Sequence, residues 1–335
     1  MIASFGTLPD GRNVDRITIR AHGMSASLLT YGATLQDLRL DGTPHPLVLG
    51  FPDLTPYLTE GRYFGAIVGR YANRIAGGEY SCDGQTHRLD RNEADRTTLH
   101  GGADGTGMRK WTLADHGADH ATFFDSLPDG HMGFPGAMIV RVHYRIMPGA
   151  CLRIAILAAA SEVTPCSFAQ HSFFNLDGRA DISDHRLSVA AQTYLPVDPA
   201  LIPLGAPAPV EGTHLDFRSP VRLGDRLAGP LIDHNLCTGD RDRLVPEDAA
   251  WLDAGGLRMT VASTMPGLQV YAGDHIRPGA PGLQGLPYAR HAGIALESQF
   301  WPDSPHHPEY PSAMLPVGHI YRQITCLNFG PQSGC

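Results

Sequence analysis

Lysine is almost missing from this chain: Lys110 is its only one. A Schiff-base or phosphate-loop lysine therefore has a single candidate, and GMRKW around it has no phosphate-loop form. The glycine-rich run GGADGTG (101–107) neither leads into GK[ST] nor matches G-x-G-x-x-G, so no nucleotide site is indicated. No G-x-S-x-G elbow and no H-E-x-x-H spacing occurs. The cluster His306, His307 and Glu309 reads as a surface loop, because adjacent histidine side chains diverge; no metal or other cofactor is expected.

C-x-x-C pairs and N-x-S/T sequons are also absent. The six cysteines (Cys82, Cys151, Cys166, Cys237, Cys326 and Cys335) are widely scattered and read as free thiols in a reducing compartment. The N-terminal MIASFGTLPDGRNVDR lacks a basic region followed by an apolar run, so no signal peptide is expected. The longest apolar stretch, about 152–160, is too short to span a bilayer. A cytoplasmic location follows as the expectation. The net charge of −8 argues against nucleic acid or an anionic membrane as a partner.

Helical periodicity is scarce as well. Runs rich in Val, Ile, Thr, Tyr and Phe recur instead at 16–23, 25–40, 137–149, 152–160, 185–197, 257–267 and 321–330. Between them lie Gly, Pro, Asn and Asp, and the 38 glycines and 27 prolines suit a turn every ten residues or so. In AMIVRVHYRI, Met138, Val140, Val142 and Tyr144 share one face, while Ile139, Arg141, His143 and Arg145 share the other. Strands at this spacing without intervening helices predict an all-β sandwich or barrel. With no linker, repeat or charge block, residues 1–335 read as one domain.

Ionisable and amide residues inside apolar strands are the candidates for chemistry. In GIALESQFWPDSP (293–305), alternation puts Ile294, Leu296, Ser298 and Phe300 on one face and Ala295, Glu297 and Gln299 on the other. Glu297 then either faces solvent or lines a polar cavity. In FAQHSFFNLDG (168–178), His171, Phe173 and Asn175 share a face. His100 enters a Gly-Gly turn in TTLHGG, Arg70 and Arg74 flank small residues in GRYANRIAGGEY, and Asp233 sits among apolar neighbours in PLIDHNL. Taken singly, each is more often structural than functional. Together, a carboxylate, two imidazoles, an arginine, an aspartate, amides and nearby aromatic rings suit a neutral polyhydroxylated ligand. A Glu and a His across such a ligand form a base and acid pair whose ordinary pKa values bracket neutral operation.

The ordered series FGTLPDG, TYGATLQDL, YFGAIVGRYANRIAGGEY, LHGG, HSFFNLDG, YLPVDPALIPLG, DFRSP, DHNL, PGLQVYAGDH and LESQFWPDSPHHPEYPSAMLPVGHIY resembles the aldose 1-epimerase (galactose mutarotase) family, from about residue 4 to 329. The resemblance implies a large antiparallel β-sandwich, the galactose mutarotase-like supersandwich, with an open sugar-binding cleft. It implies Glu297 of LESQ as general base and His171 of HSFFNL as general acid. It also implies that Asn73, Arg74, His100, Asp233 and Gln269 bind or orient the sugar. The implied partner is a small monosaccharide, for a monomer or homodimer that needs no cofactor. Departures from the family pattern are GTGMRKW (105–111), Phe173 for a common Tyr, Ala169-Gln170 before His171, and PVGH (316–319). Arg70 is expected to serve a structural salt bridge. The rival readings are a sugar-lactone isomerase and a non-catalytic sugar-binding protein on the same fold. A glycosidase is disfavoured because only Asp233 could join Glu297 as the second carboxylate that chemistry needs.

Overall fold

The apolar runs become strands in a computed structural model that describes residues 1–332; Cys335 lies outside the described residues. Runs 137–149 and 152–160 form Met138–Met147 and Cys151–Ala160, paired antiparallel over ten residues. The 25–40 run breaks in two, Met24–Leu29 and Leu35–Leu40, which form a hairpin. The 185–197 run also breaks, and its halves, Arg186–Val189 and Thr193–Tyr194, join different sheets. The one α-helix among the described residues is a single turn, Thr55–Leu58.

Three sheets carry the architecture, and every ladder within them is antiparallel. Four strands from the N-terminal region pair in sequence order. A nine-stranded sheet runs Thr112–His116, His120–Leu127, Met138–Met147, Cys151–Ala160, Tyr321–Pro331, Leu257–Ser263, Glu247–Ala254, Arg186–Val189 and Val221–Arg222. A six-stranded sheet runs Phe173–Phe174, Ile294–Gln299, Gly267–Tyr271, Asp233–Cys237, Thr193–Tyr194 and Ala208–Pro209. The expected all-β antiparallel sandwich is the observed fold.

Alternation sets which face each strand buries. Met138, Val140, Val142, Tyr144 and Ile146 are buried, while Ile139, Arg141 and Arg145 are exposed. One continuous core joins Ile19 and Leu38 of the first sheet, Val142, Ile154 and Leu327 of the second, and Leu236, Val270, Ile294 and Leu296 of the third. The third sheet thus buries one face in this core and leaves its other face free to line a cavity.

Arg70 corrects an expectation. No carboxylate lies within ion-pair distance of it among the described residues. Its guanidinium instead donates to the carbonyls of Pro135 (2.9 Å) and Gly136 (3.0 Å) and to the Thr164 hydroxyl (3.3 Å), and lies over the Phe134 ring. A planar fork suits several carbonyls at once, which a lone carboxylate opposite would not require. Burial lowers its pKa to about 10, so it remains a cation at neutrality. Arg70→Met is expected to cost about 3 kcal/mol in urea unfolding, because charge-assisted hydrogen bonds are lost and buried carbonyls are left unpaired.

A buried histidine gives the fold an acid weakness. His185 is fully buried, and its Nε2 accepts a hydrogen bond from the Leu176 N–H at 2.8 Å. Burial lowers its pKa to about 4. Between pH 6.5 and 4 the unfolded chain therefore binds a proton that the native chain refuses, and stability falls as pH falls. From pH 7 to 5, wild type is expected to lose ~2 kcal/mol more than His185→Gln in denaturant titrations. Equal losses would contradict this.

Candidate active site

All six residues of Ile294–Gln299 are buried, so Glu297 does not face solvent. The ladder places Gln269 opposite Glu297 and Asn235 opposite Gln269, forming one polar row across three strands. One step along, Asp233 lies opposite Tyr271 and Tyr271 opposite Ala295. Directly paired residues share a face, so Glu297, Gln269, Asn235, Asp233 and Tyr271 all lie on the side away from the core.

Glu297 is 2% exposed, and its Oε2 has no hydrogen-bond partner among the described residues. Burial raises its pKa well above the ordinary carboxylate range; the nearby Asp233 adds to this and Arg74 opposes it. Asp233 is also pushed up by burial, against the pull of Arg74 and a 2.6 Å hydrogen bond from Gln269 Nε2.

His171 reaches this face by an unexpected route. The 168–178 run is not one strand: Ala169–Gln170 pairs with Ile67–Val68, and Phe173–Phe174 pairs with Ile294 and Ala295. The chain changes partners at His171 and Ser172, so simple alternation fails there. His171 is fixed by its backbone, its N–H donating to Ala66 O and its C=O accepting from Gly65 N–H, each at 2.9 Å. Phe173 joins it at the cavity, but Asn175 turns away to donate to the carbonyls of Arg179 and Ala292. His171 Nε2 lies 3.6 Å from Glu297 Oε1, while its Nδ1 is buried with no partner among the described residues. Burial lowers the His171 pKa to about 4.

Two loops close the site. Asn73 and His100 both adopt left-handed backbone conformations, φ 65° and 51°. They brace each other: Asn73 N–H donates to His100 Nδ1 at 3.2 Å, and His100 N–H to Asn73 O at 3.0 Å. The glycine after His100 is needed for close approach, since a Cβ on Gly101 would sit 2.1 Å from the Gly69 carbonyl oxygen. Arg74 is held by a two-pronged pair with Glu93, both contacts at 2.8 Å. Burial, together with the neighbouring His171 and Arg74, drives the His100 pKa well below its ordinary value.

These parts enclose a cavity of about 270 Å³ lined by Asn73, Arg74, His100, His171, Asp233 and Glu297. Six of the seven expected site residues meet there. Gln269 is the exception: it does not line the cavity, and its Nε2 holds the Asp233 carboxylate. Residue-by-residue reading missed Tyr63, Tyr271 and His275, which also line the cavity. The Tyr63 ring lies 4.8 Å from that of His100 and 6.1 Å from that of His171, forming an apolar wall. Tyr271 and His275 were present in PGLQVYAGDH, where their ring character was the available signal. Glu93 carried no local signal, because its partner Arg74 lies nineteen residues away. Of the departures from the family pattern, only Phe173 lines the cavity. Arg109 of GTGMRKW is instead paired with Asp104 and Asp125, and Gln170 with Gly65 O and Ser172.

A buried carboxyl and an imidazole facing each other across a small cavity, ringed by amide, guanidinium and aromatic groups, have the chemistry that acid–base work on a small neutral ligand needs. The family model for aldose 1-epimerase matches residues 15–327. The chain is 38% identical to the galactose mutarotase of Mus musculus, with 97% of each chain covered. It is 34% identical to the aldose 1-epimerase of Escherichia coli (strain K12), with 96% of each covered. The crystal structure of galactose 1-epimerase from Lactobacillus acidophilus NCFM superposes with a TM-score of 0.87 at 27% identity, covering 99% of both chains. An aldose epimerase homologue from C. elegans gives the same TM-score, covering 95% of this chain and 99% of its own. The chain belongs to the aldose 1-epimerase family.

Proposed function

We propose that the protein is an aldose 1-epimerase that interconverts the α and β anomers of a free monosaccharide. The 3.6 Å approach of His171 Nε2 to Glu297 Oε1 carries this reading. Burial disfavours the charged form of each group, and the pair is net neutral when it holds one proton. One proton is also what the reaction requires. Burial leaves that proton on Glu297 at rest; once it has passed to His171, the carboxylate takes the proton of the anomeric hydroxyl while the imidazolium gives one to the ring oxygen. The C1–O bond to the ring breaks, leaving an open-chain aldehyde. Rotation about C1–C2 presents the other carbonyl face, and the two residues reverse roles as the ring recloses. Asn73, Arg74, His100 and Asp233 hold sugar hydroxyls, and Gln269 keeps Asp233 aimed. The rings of Tyr63, Phe173 and Tyr271 supply faces for the sugar's C–H patches.

No helix among the described residues is long and apolar enough to cross a membrane. We read residues 1–335 as one domain working in the cytoplasm, as a monomer or homodimer and without a cofactor. Polarimetry on freshly dissolved α-D-glucose, α-D-galactose and L-arabinose tests the activity. Approach to equilibrium faster than in buffer is the expected result. Well-folded protein that accelerates none of the three would overturn the reading and direct attention to sugar lactones.

A further inference from the structure

The outer face of the nine-stranded sheet carries a pair of thiols that the sugar chemistry does not use. Cys151 lies directly opposite Asn328, and Cys326 directly opposite Arg153. The two cysteines are therefore diagonal neighbours on adjacent strands. Direct opposition also puts Cys151 on the face of Met147, and Cys326 on the face of Arg153 and Arg145. Arg145 is exposed, so this is the side of the sheet away from the core. Diagonal positions stand about 7–8 Å apart, a little beyond a relaxed disulfide, so closing a bond there requires the two strands to draw together locally. Among the described residues Cys82, Cys166 and Cys237 are free thiols like these two, with no thiol opposite them in the ladders.

We propose that Cys151 and Cys326 form an oxidisable dithiol, a modification site that peroxide closes to a cross-strand disulfide. Three observations favour this pair. The thiols interact directly, a hydrogen bond from Cys151 lowering the Cys326 pKa to about 7. Arg153, opposite Cys326, also favours its thiolate and has no carboxylate at ion-pair distance among the described residues. Cys326 is partly exposed while Cys151 is buried beside it, which suits an attacking thiolate and a resolving thiol.

The chemistry balances with hydrogen peroxide as oxidant. The Cys326 thiolate attacks one peroxide oxygen; the O–O bond breaks, an S–O bond forms, and the departing hydroxide is protonated to water. Cys151 then gives up its proton and attacks the sulfenic sulfur. The S–O bond breaks, the S–S bond forms, and a second water leaves. Two thiols lose two electrons and two protons, and one peroxide becomes two waters. Neither cysteine lines the sugar cavity, so this site stands apart from the proposed sugar chemistry.

Intact-mass spectrometry and a non-reducing peptide map of the full-length protein after peroxide treatment provide the test. The expected result is loss of two hydrogen atoms and a linked peptide joining Cys151 to Cys326, both reversed by dithiothreitol. In Cys151→Ser, Cys326 is expected to stop at the sulfenic acid and be captured by dimedone. An unchanged mass, oxygen addition without linkage, or linkage through Cys82, Cys166, Cys237 or Cys335 would overturn the proposal. Failure of dimedone to label Cys326 in folded Cys151→Ser would also overturn it.

Discussion

Glu297→Gln is expected to lower the mutarotation rate by ~10²–10⁴-fold, the usual contribution of a positioned general base. The substitution keeps the side chain's shape and removes only its ability to take a proton. Glu297 is buried with an unpartnered Oε2 and a neighbouring carboxyl in Asp233, so its charged form is disfavoured by its surroundings. A neutral amide relieves that strain, and thermal stability is expected to hold or rise. Polarimetry with a parallel melting curve checks both. A variant that retains near-wild-type turnover would remove Glu297 from the chemistry; a variant that fails to fold would contradict the expected stability.

His171→Asn is expected to cause a loss of similar size, and the double variant Glu297→Gln/His171→Asn to be little slower than either single one. Groups that act as a unit behave in this non-additive way, because removing one leaves the other without its task. The His171 backbone is anchored to Gly65 and Ala66, so an asparagine keeps the loop in place. Its ring is walled by Tyr63 and Phe173, with centroid distances of 6.1 and 5.2 Å, and it has little freedom to turn. Losses that multiply in the double variant would indicate two independent contributions and break the paired mechanism.

The sandwich was legible because alternation and punctuation repeat along the whole chain, and nearest-neighbour hairpins follow from them. Glu297 was legible for the same reason: it is the acid on the non-core side of a regular strand. Residue reading also raised His171, His100, Arg74 and Asp233, the motif series added Asn73 and Gln269, and six of the seven do meet at one cavity. His171 was found for its chemistry but misplaced in its geometry, since the switch between two sheets at 171–172 leaves no mark on local periodicity. Arg70 was misread because carbonyls, unlike carboxylates, cannot be seen in a residue string. Glu93 was invisible for a third reason, since its role depends on loop closure, whereas Tyr63 opens YFGAIVGRYANRIAGGEY, where its ring was the available signal.

The polar row Asn235–Gln269–Glu297 makes the hydrogen-bond ladder a parity device. Side chains alternate strictly, so a shift of one residue in the 294–299 strand would send Glu297 into the core and bring Leu296 or Ser298 to the cavity. The sheet could remain hydrogen-bonded throughout, yet no carboxyl would face His171. Gain or loss of one residue there acts on chemistry as an all-or-none event. In the loops bearing Asn73 and His100, the same change in length would alter the grip on the sugar and leave the position of Glu297 untouched.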